Sequence, residues 1–334
     1  MKIQPSFVVV LVLLVTSGCS KAAAGSISGM VIDSGSGIPV PAASVSTEPP
    51  TSAVTTDAGG YYSISQVLPG QYLVSASKTG YNSASVKIAV SAGQTTTADI
   101  PLVISLASDR STGKPNSPGL VAYWSFDDGT ATDNSGNGHH GTVHSATLVE
   151  DRHRNPRHAY YFDGENSFIK VQSDPDLANI ENQMSIAAWI RVDPETRYEI
   201  YDLRHILAKG ATYGDLWADY ALGLSNPEGA LAWEYSDYSN APFRTNTSLT
   251  ISQGKWHHAV VTFDGQSIRL YLDAQLQKTL PGPYNAFRRS SQPLYIGCRY
   301  ENPIVGVFKG SIDEVRIYNY SLSEANILEL YQLD

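Results

Sequence analysis

Aromatic and charged residues crowd between positions 213 and 244, where Tyr213, Trp217, Tyr220, Trp233, Tyr235, Tyr238 and Arg244 fall together. Aromatic faces stack on sugar rings and polar side chains hydrogen-bond hydroxyls, so such a set can hold a carbohydrate. The same residues can equally be ordinary packing. In Ala230-Leu-Ala-Trp-Glu-Tyr235, strand alternation puts Leu231, Trp233 and Tyr235 on one face and Glu234 on the other. Trp217, Tyr238 and Arg244 remain as the candidate ligand contacts. The histidines suggest a second chemistry: His139, His140, His144, His153, His158, His205, His257 and His258. Zinc needs ligands that converge at fixed geometry, and adjacent histidines on a strand point to opposite faces. Each of the pairs 139/140 and 257/258 therefore offers one ligand at most to a given side, and packing or hydrogen bonding is the simpler role. No phosphate-cradling glycine loop, nucleophile elbow or Cys/His zinc spacing occurs. Cys298 lies in the strand-like run Leu-Tyr-Ile-Gly-Cys-Arg and reads as a buried structural thiol.

These side chains need β-structure to position them. The chain has 334 residues, of which 16 % are charged, with 20 Tyr, 27 Gly and 18 Pro. Tyr favours strands, and Gly and Pro punctuate turns. The net charge of −9 argues against a nucleic-acid partner, whose phosphates call for clustered Lys and Arg. Short alternating runs recur from 26 to 104, beginning Ser-Ile-Ser-Gly-Met-Val-Ile, with turn signals between them. They predict a small sandwich of some seven strands. Residues 105–119 have no periodicity, are rich in Ser, Pro and Gly, and form a linker. From 120 to 334 strand signals continue, among them Leu120–Phe126, Met184–Val192, Trp256–Phe263 and Ile312–Tyr318. That length suits one large sandwich. At its end Ser321-Leu-Ser-Glu324 reads as a capping box, with Ala325, Leu328 and Tyr331 following at helical spacing. The fold class expected is therefore all-β, with one short C-terminal helix.

The first 19 residues read as a leader. Lys2 precedes the apolar run Phe7–Val15, which is too short to span a bilayer, since spanning needs about 20 apolar residues. Thr16-Ser-Gly-Cys19 resembles a bacterial lipobox, whose cysteine becomes the lipidated N-terminus. Cys19 is thus the expected lipidation site, with residues 20–25 as a tether. A serine after that cysteine, here Ser20, implies the outer membrane of a Gram-negative envelope. With Cys19 acylated, Cys298 has no disulfide partner within the chain.

Two resemblances follow from ordered motifs. Residues 26–104 resemble the carboxypeptidase regulatory-like domains, which are transthyretin-like or immunoglobulin-like sandwiches. The motifs are Gly29–Asp33, Gly37-Ile-Pro-Val-Pro-Ala-Ala-Ser-Val45, Thr56-Asp-Ala-Gly-Gly-Tyr-Tyr62 and Leu68–Val74 with Gly80-Tyr81. Ala42 stands where that family has Gly. The resemblance implies a spacer or adhesive scaffold without catalytic residues. Residues 120–334 resemble the laminin G-like, concanavalin A-like jelly rolls. Here the motifs are Leu120–Gly129, Asp133-Asn-Ser-Gly-Asn-Gly-His-His-Gly141, Tyr161–Val171, Ser185–Ile190, Trp256–Gly265, Arg269–Asp273 and Phe308–Tyr318. Ala274 replaces the usual Gly after Asp273.

The second resemblance implies a calcium ion that bridges the N-terminal loop, a glycine-bearing loop and an Asp near the C-terminus. In this sequence the positions are Asp127, with Asp128 beside it, Gly164 through its carbonyl, and Asp313. Such an ion would be structural, tying the two ends of the domain together. Concanavalin-like folds also include glycoside hydrolases with the pattern Glu-x-Asp-x-x-Glu. Glu234-Tyr-Ser-Asp237 lacks the second Glu, and Glu195 and Glu199 are no substitute, so no enzyme is expected. The resulting expectation is a cell-envelope lipoprotein presenting a non-catalytic, calcium-stabilised module that binds a glycan or glycoconjugate. The alternative is a structural or protein-binding adhesion component.

Overall fold

The computed structural model describes residues 23–35, 37–105, 119–178, 180, 183–194, 203–210, 218–225, 229–236, 242–282, 287–301 and 304–333. The leader with Cys19, residues 106–118 of the linker, Trp217 and Tyr238 lie outside them. Among the described residues strands take up 54 % and helices 5 %, as the turn-punctuated alternation predicts.

The first unit contains β1 (Gly25–Asp33), β2 (Ser44–Glu48), β3 (Val54–Thr55), β4 (Tyr61–Val67), β5 (Gly70–Ser77), β6 (Tyr81–Asn82), β7 (Ala84–Val90), β8 (Thr95–Thr97) and β9 (Ile100–Ile104). One sheet runs β4-β1-β9-β6 with β8 also on β1, and the other runs β3-β2-β5-β7. Ile27, Val31, Tyr62, Ile64, Val74, Ile100 and Leu102 form the core between them. Nine strands replace the seven expected. The run Thr96–Leu102 breaks at Ala98-Asp99 because the Asp99 carboxylate accepts the Met30 N–H at 2.8 Å, where a ladder carbonyl would otherwise sit. The edge pieces β3 and β6 are only two residues long. The turn before β4 is held by Asp57, whose Oδ1 accepts the Gly59 and Tyr61 N–H groups at 2.9 Å. Ala42 has φ of 53°, the left-handed conformation that glycine adopts at less cost.

The second unit opens with β10 (Leu120–Trp124), β11 (Gly141–His144), β12 (Thr147–Val149), β13 (Ala159–Asp163), β14 (Phe168–Val171) and the turn of helix α1 (Pro175–Ala178). It continues with β15 (Met184–Val192), β16 (Arg204–Lys209), β17 (Tyr220–Leu224), β18 (Ala230–Ser236), β19 (Pro242–Thr250) and β20 (Trp256–Phe263). Then come β21 (Ser267–Leu272), β22 (Gln275–Pro281), β23 (Leu294–Ile296), β24 (Tyr300–Glu301), β25 (Ile304–Val305), β26 (Lys309–Tyr318) and helix α2 (Glu324–Leu333). An eight-stranded sheet runs β12-β13-β26-β15-β20-β21-β22 with β10 also on β26; a seven-stranded sheet runs β11-β14-β23-β16-β17-β18-β19. Alternate residues of both sheets, including Trp124, Phe162, Ile186, Leu222, Trp233, Leu270, Ile296 and Ile312, meet in one continuous core. The first strand of the unit lies directly beside the last, with Leu120 opposite Tyr318 and Trp124 opposite Val315.

Helix α2 differs from its sequence reading in two ways. Its cap is Ser323, whose hydroxyl accepts the Asn326 N–H at 3.2 Å while the Asn326 side chain accepts the Ser323 N–H at 3.2 Å. The reciprocal box therefore lies two residues beyond Ser321/Glu324. Its buried face is Asn326, Ile327 and Leu330, whereas Leu328 is exposed. Both faces have helical spacing, and the apolar patch of Leu120, Tyr123, Ala187, Val260, Tyr271 and Tyr318 on the outer side of the eight-stranded sheet selects Ile327 and Leu330.

Candidate functional site

On β18, Leu231, Trp233 and Tyr235 enter the core, and Glu234 projects from the opposite, outer face of the seven-stranded sheet. Arg244 is its cross-strand partner on β19. The guanidinium donates from both Nη2 and Nε to Oε2, at 2.6 and 3.1 Å. Arg299 approaches Oε1 at 3.4 Å, and the Ala218 N–H donates to the same oxygen. Glu234 is fully buried, which pushes its carboxyl up, but the positive neighbourhood of His205, Arg299 and Arg244 outweighs burial and holds it below the ordinary value. Arg244 keeps 29 % of its side chain exposed. Beside this group, Asp219 accepts from Arg288 Nε at 2.7 Å and from the Ser290 hydroxyl at 2.6 Å, with Lys209 Nζ at 3.7 Å. This face therefore presents fixed charged donors over a buried acidic floor.

The residues read as a calcium set are only partly brought together. Asp313 projects from the outer face of β26 and is 2 % exposed. Its Oδ1 accepts the Glu314 N–H at 2.9 Å. Burial pushes its carboxyl well above the ordinary value, and the negative charges of Glu314 and Asp127 add to that, against the opposing pull of Arg152. Arg152 Nη1 stands 3.9 Å from Oδ2 and also lies over the Trp189 ring at 4.6 Å. Asp127 is thus within electrostatic reach of Asp313, and it also pairs with His158 Nδ1 at 3.3 Å. Asp128 instead closes its own turn, accepting the Thr130 N–H and hydroxyl at 2.8 and 2.6 Å. Gly164 follows Asp163, which pairs with Lys309. One residue past that pair, it stands about 16 Å along the ladder from Asp313 at roughly 3.3 Å per residue.

Other histidines have structural partners. His257 Nδ1 bonds Asp273 Oδ2 at 2.8 Å, and its Nε2 bonds the Ser252 hydroxyl at 2.7 Å. The adjacent His258 faces the other way, fully buried against Trp189. Cys298 is a buried thiol among Phe168, Tyr295 and Val307. Among the described residues, one set of potential metal ligands converges: His139, Asp174 and Asp176. Strand periodicity could not have found it, because two of its members lie at the start of α1, 35 residues and more from the third in sequence.

The two-sheet unit, closed by its own first and last strands, can be placed by comparison. Residues 163–328 match the family model of the concanavalin A-like lectin/glucanases superfamily. Residues 26–103 match the carboxypeptidase regulatory-like domain. The concanavalin A-like unit shares its fold with domain 4 of AbnA, an extracellular GH43 arabinanase from Geobacillus stearothermophilus, in a structure with arabinotriose. That likeness has a TM-score of 0.50 and 20 % identity over 64 % of this chain and 98 % of that one. The binding domain of Paraclostridial Mosquitocidal Protein 1 is similar at a TM-score of 0.52 and 19 % identity, over 64 % of this chain and 52 % of that one. Comparison with curated protein sequences finds no match. At such identities the likeness shows a shared fold alone, and any ligand must be argued from the residues.

Proposed function

We propose that the concanavalin A-like unit is a non-catalytic glycan-binding module. In this reading the regulatory-like sandwich is its stalk, and the chain is carried on the cell envelope by lipidated Cys19. The observation that carries it is the outer face of the seven-stranded sheet, where Glu234 Oε2 fixes the Arg244 guanidinium through two hydrogen bonds while the side chain stays partly open to solvent. A pinned planar donor suits sugar hydroxyls because little side-chain entropy is lost when the ligand binds. Trp217 and Tyr238 border β17 and β18 in sequence and are assigned the stacking role. The arabinotriose complex of the AbnA domain supports an oligosaccharide as ligand class. Within the same proposal a structural calcium ion is held by Asp127 and Asp313. Asp313 fits this role as a buried carboxylate with one hydrogen bond and like charges close by. The cation would offset that repulsion and tie the first loop to the last strand.

The test is a glycan array probed with a soluble chain beginning at Ser20. Binding to an oligosaccharide class, weakened about tenfold or more in Arg244→Ala and Trp217→Ala, supports the proposal. A chain that binds no glycan but captures a specific envelope protein would instead favour the adhesion alternative.

A further inference from the structure

His139 is 4 % exposed, and its Nε2 is buried without a hydrogen-bond partner. A buried imidazole nitrogen left this way is unfavourable unless something else satisfies it. Its backbone is firmly placed. The His139 N–H donates to Asp133 Oδ2 at 2.9 Å, and its carbonyl accepts the Trp124 indole N–H at 2.9 Å. Asp133 also accepts from the N–H groups of Tyr123 and Ser135, so one carboxylate organises the whole 133–139 loop. The following strand, β11, pairs antiparallel with β14, with Gly141 opposite Val171. Continued two residues beyond its end, that ladder sets His139 against the segment that leads into α1.

Asp174 and Asp176 stand there. A ring nitrogen of His139 and one carboxylate oxygen from each Asp lie within 4.8 Å of one another. Asp174 is half-buried and Asp176 is exposed. The α1 turn that carries them is itself anchored: Leu177 is fully buried in the core, and its carbonyl accepts the Tyr220 hydroxyl at 3.0 Å.

We infer that His139, Asp174 and Asp176 form a binding site for a divalent transition-metal ion. An imidazole with two carboxylates suits zinc or manganese, whereas calcium prefers an all-oxygen set. Zinc takes such ligands at about 2.0–2.2 Å, so the exposed Asp176 carboxylate closes onto the ion by a small rotation. The fourth position opens to solvent on the Asp176 side. The ion fastens the 133–141 loop to α1 at one end of the sandwich. It is separate from the Asp127/Asp313 pair and does not depend on the glycan-binding proposal.

The test titrates Zn2+ into the purified, chelator-stripped full chain, with calorimetry and metal analysis after dialysis as readouts. One tightly bound equivalent is expected, undisplaced by excess Ca2+ and accompanied by a higher melting temperature. Asp176→Asn changes an exposed residue and should fold as the parent does while binding Zn2+ about tenfold or more weakly. His139→Gln should lose the equivalent, and Asp313→Asn should retain it. The inference is overturned if the parent binds no zinc saturably, if folded Asp176→Asn binds it as tightly as the parent, or if Asp313→Asn abolishes binding.

Discussion

His258 shows how one buried side chain sets a pH dependence. Neither ring nitrogen has a hydrogen-bond partner. Burial first, then the charges of Arg316 and Arg152, push its pKa down to about 3, with Asp273 pulling the other way. The folded state thus holds the ring neutral where an unfolded chain protonates it below about 6.5. The stability this contributes is present above pH 6.5 and lost as pH falls from there towards 3. Urea unfolding at pH 7 and pH 5 should show a loss of about 2 kcal/mol from this group. In His258→Gln that part of the pH slope disappears, whatever the variant's stability at pH 7. The two alanines standing where glycine is usual give a second expectation. Asp273 and Ala274, at the tight turn between β21 and β22, both have positive φ, 50° and 59°. Such a turn favours glycine, so Ala274→Gly should raise stability by about 0.5–1 kcal/mol. A lower thermal midpoint for this variant would refute it. These turn positions were legible from the sequence. The neutrality of His258 was not, because it depends on burial and on Arg316 of β26 and Arg152 of the turn after β12, which the tertiary fold brings to it.

At the scale of elements, the strands follow their alternation and the capping of α2 does not follow the nearest motif. Ser321 is buried, next to Leu322, whose N–H is taken by the Ser185 hydroxyl at 2.8 Å. That contact holds the chain extended through Leu322, and the helix begins only after Ser323. Ser323→Ala should therefore cost about 1 kcal/mol, the usual loss for an N-cap, whereas Glu324→Ala should cost only a few tenths of that. Equal losses from the two variants, measured by chemical denaturation, would return the cap to Ser321/Glu324. The local sequence supports two capping boxes and two helix faces. The outer surface of the eight-stranded sheet chooses between them by burying Ile327 and Leu330. The same holds for β8 and β9, where the Asp99 side chain, and no change in hydropathy, ends the strand.

For the molecule as a whole, the central fact is that β26 pairs with β10, β13 and β15. The chain's last strand is thereby an interior strand of the larger sheet, beside its first. The Asp127/Asp313 calcium proposal belongs to this scale, since the ion would join the loop after β10 to β26. In the zinc-free chain supplied with Ca2+, chelation with EGTA should lower the melting temperature by several degrees, and Asp313→Asn should show no such response. An unchanged midpoint on chelation would remove calcium from the account. If the response to EGTA survives in Asp313→Asn, the ion is held elsewhere.

The sequence by itself determined the all-β class, the two sandwiches and their order, the inward faces of strands such as β18, and the burial of Cys298. Each of these rests on periodicity and turn chemistry within a few residues. Only the tertiary structure decided which charged groups meet. It placed Arg244 on Glu234 and Arg152 beside Asp313, left Gly164 far along the ladder, and drew His139, Asp174 and Asp176 together. Those meetings depend on strand register and sheet order, which join residues distant in the chain, and no local pattern encodes them.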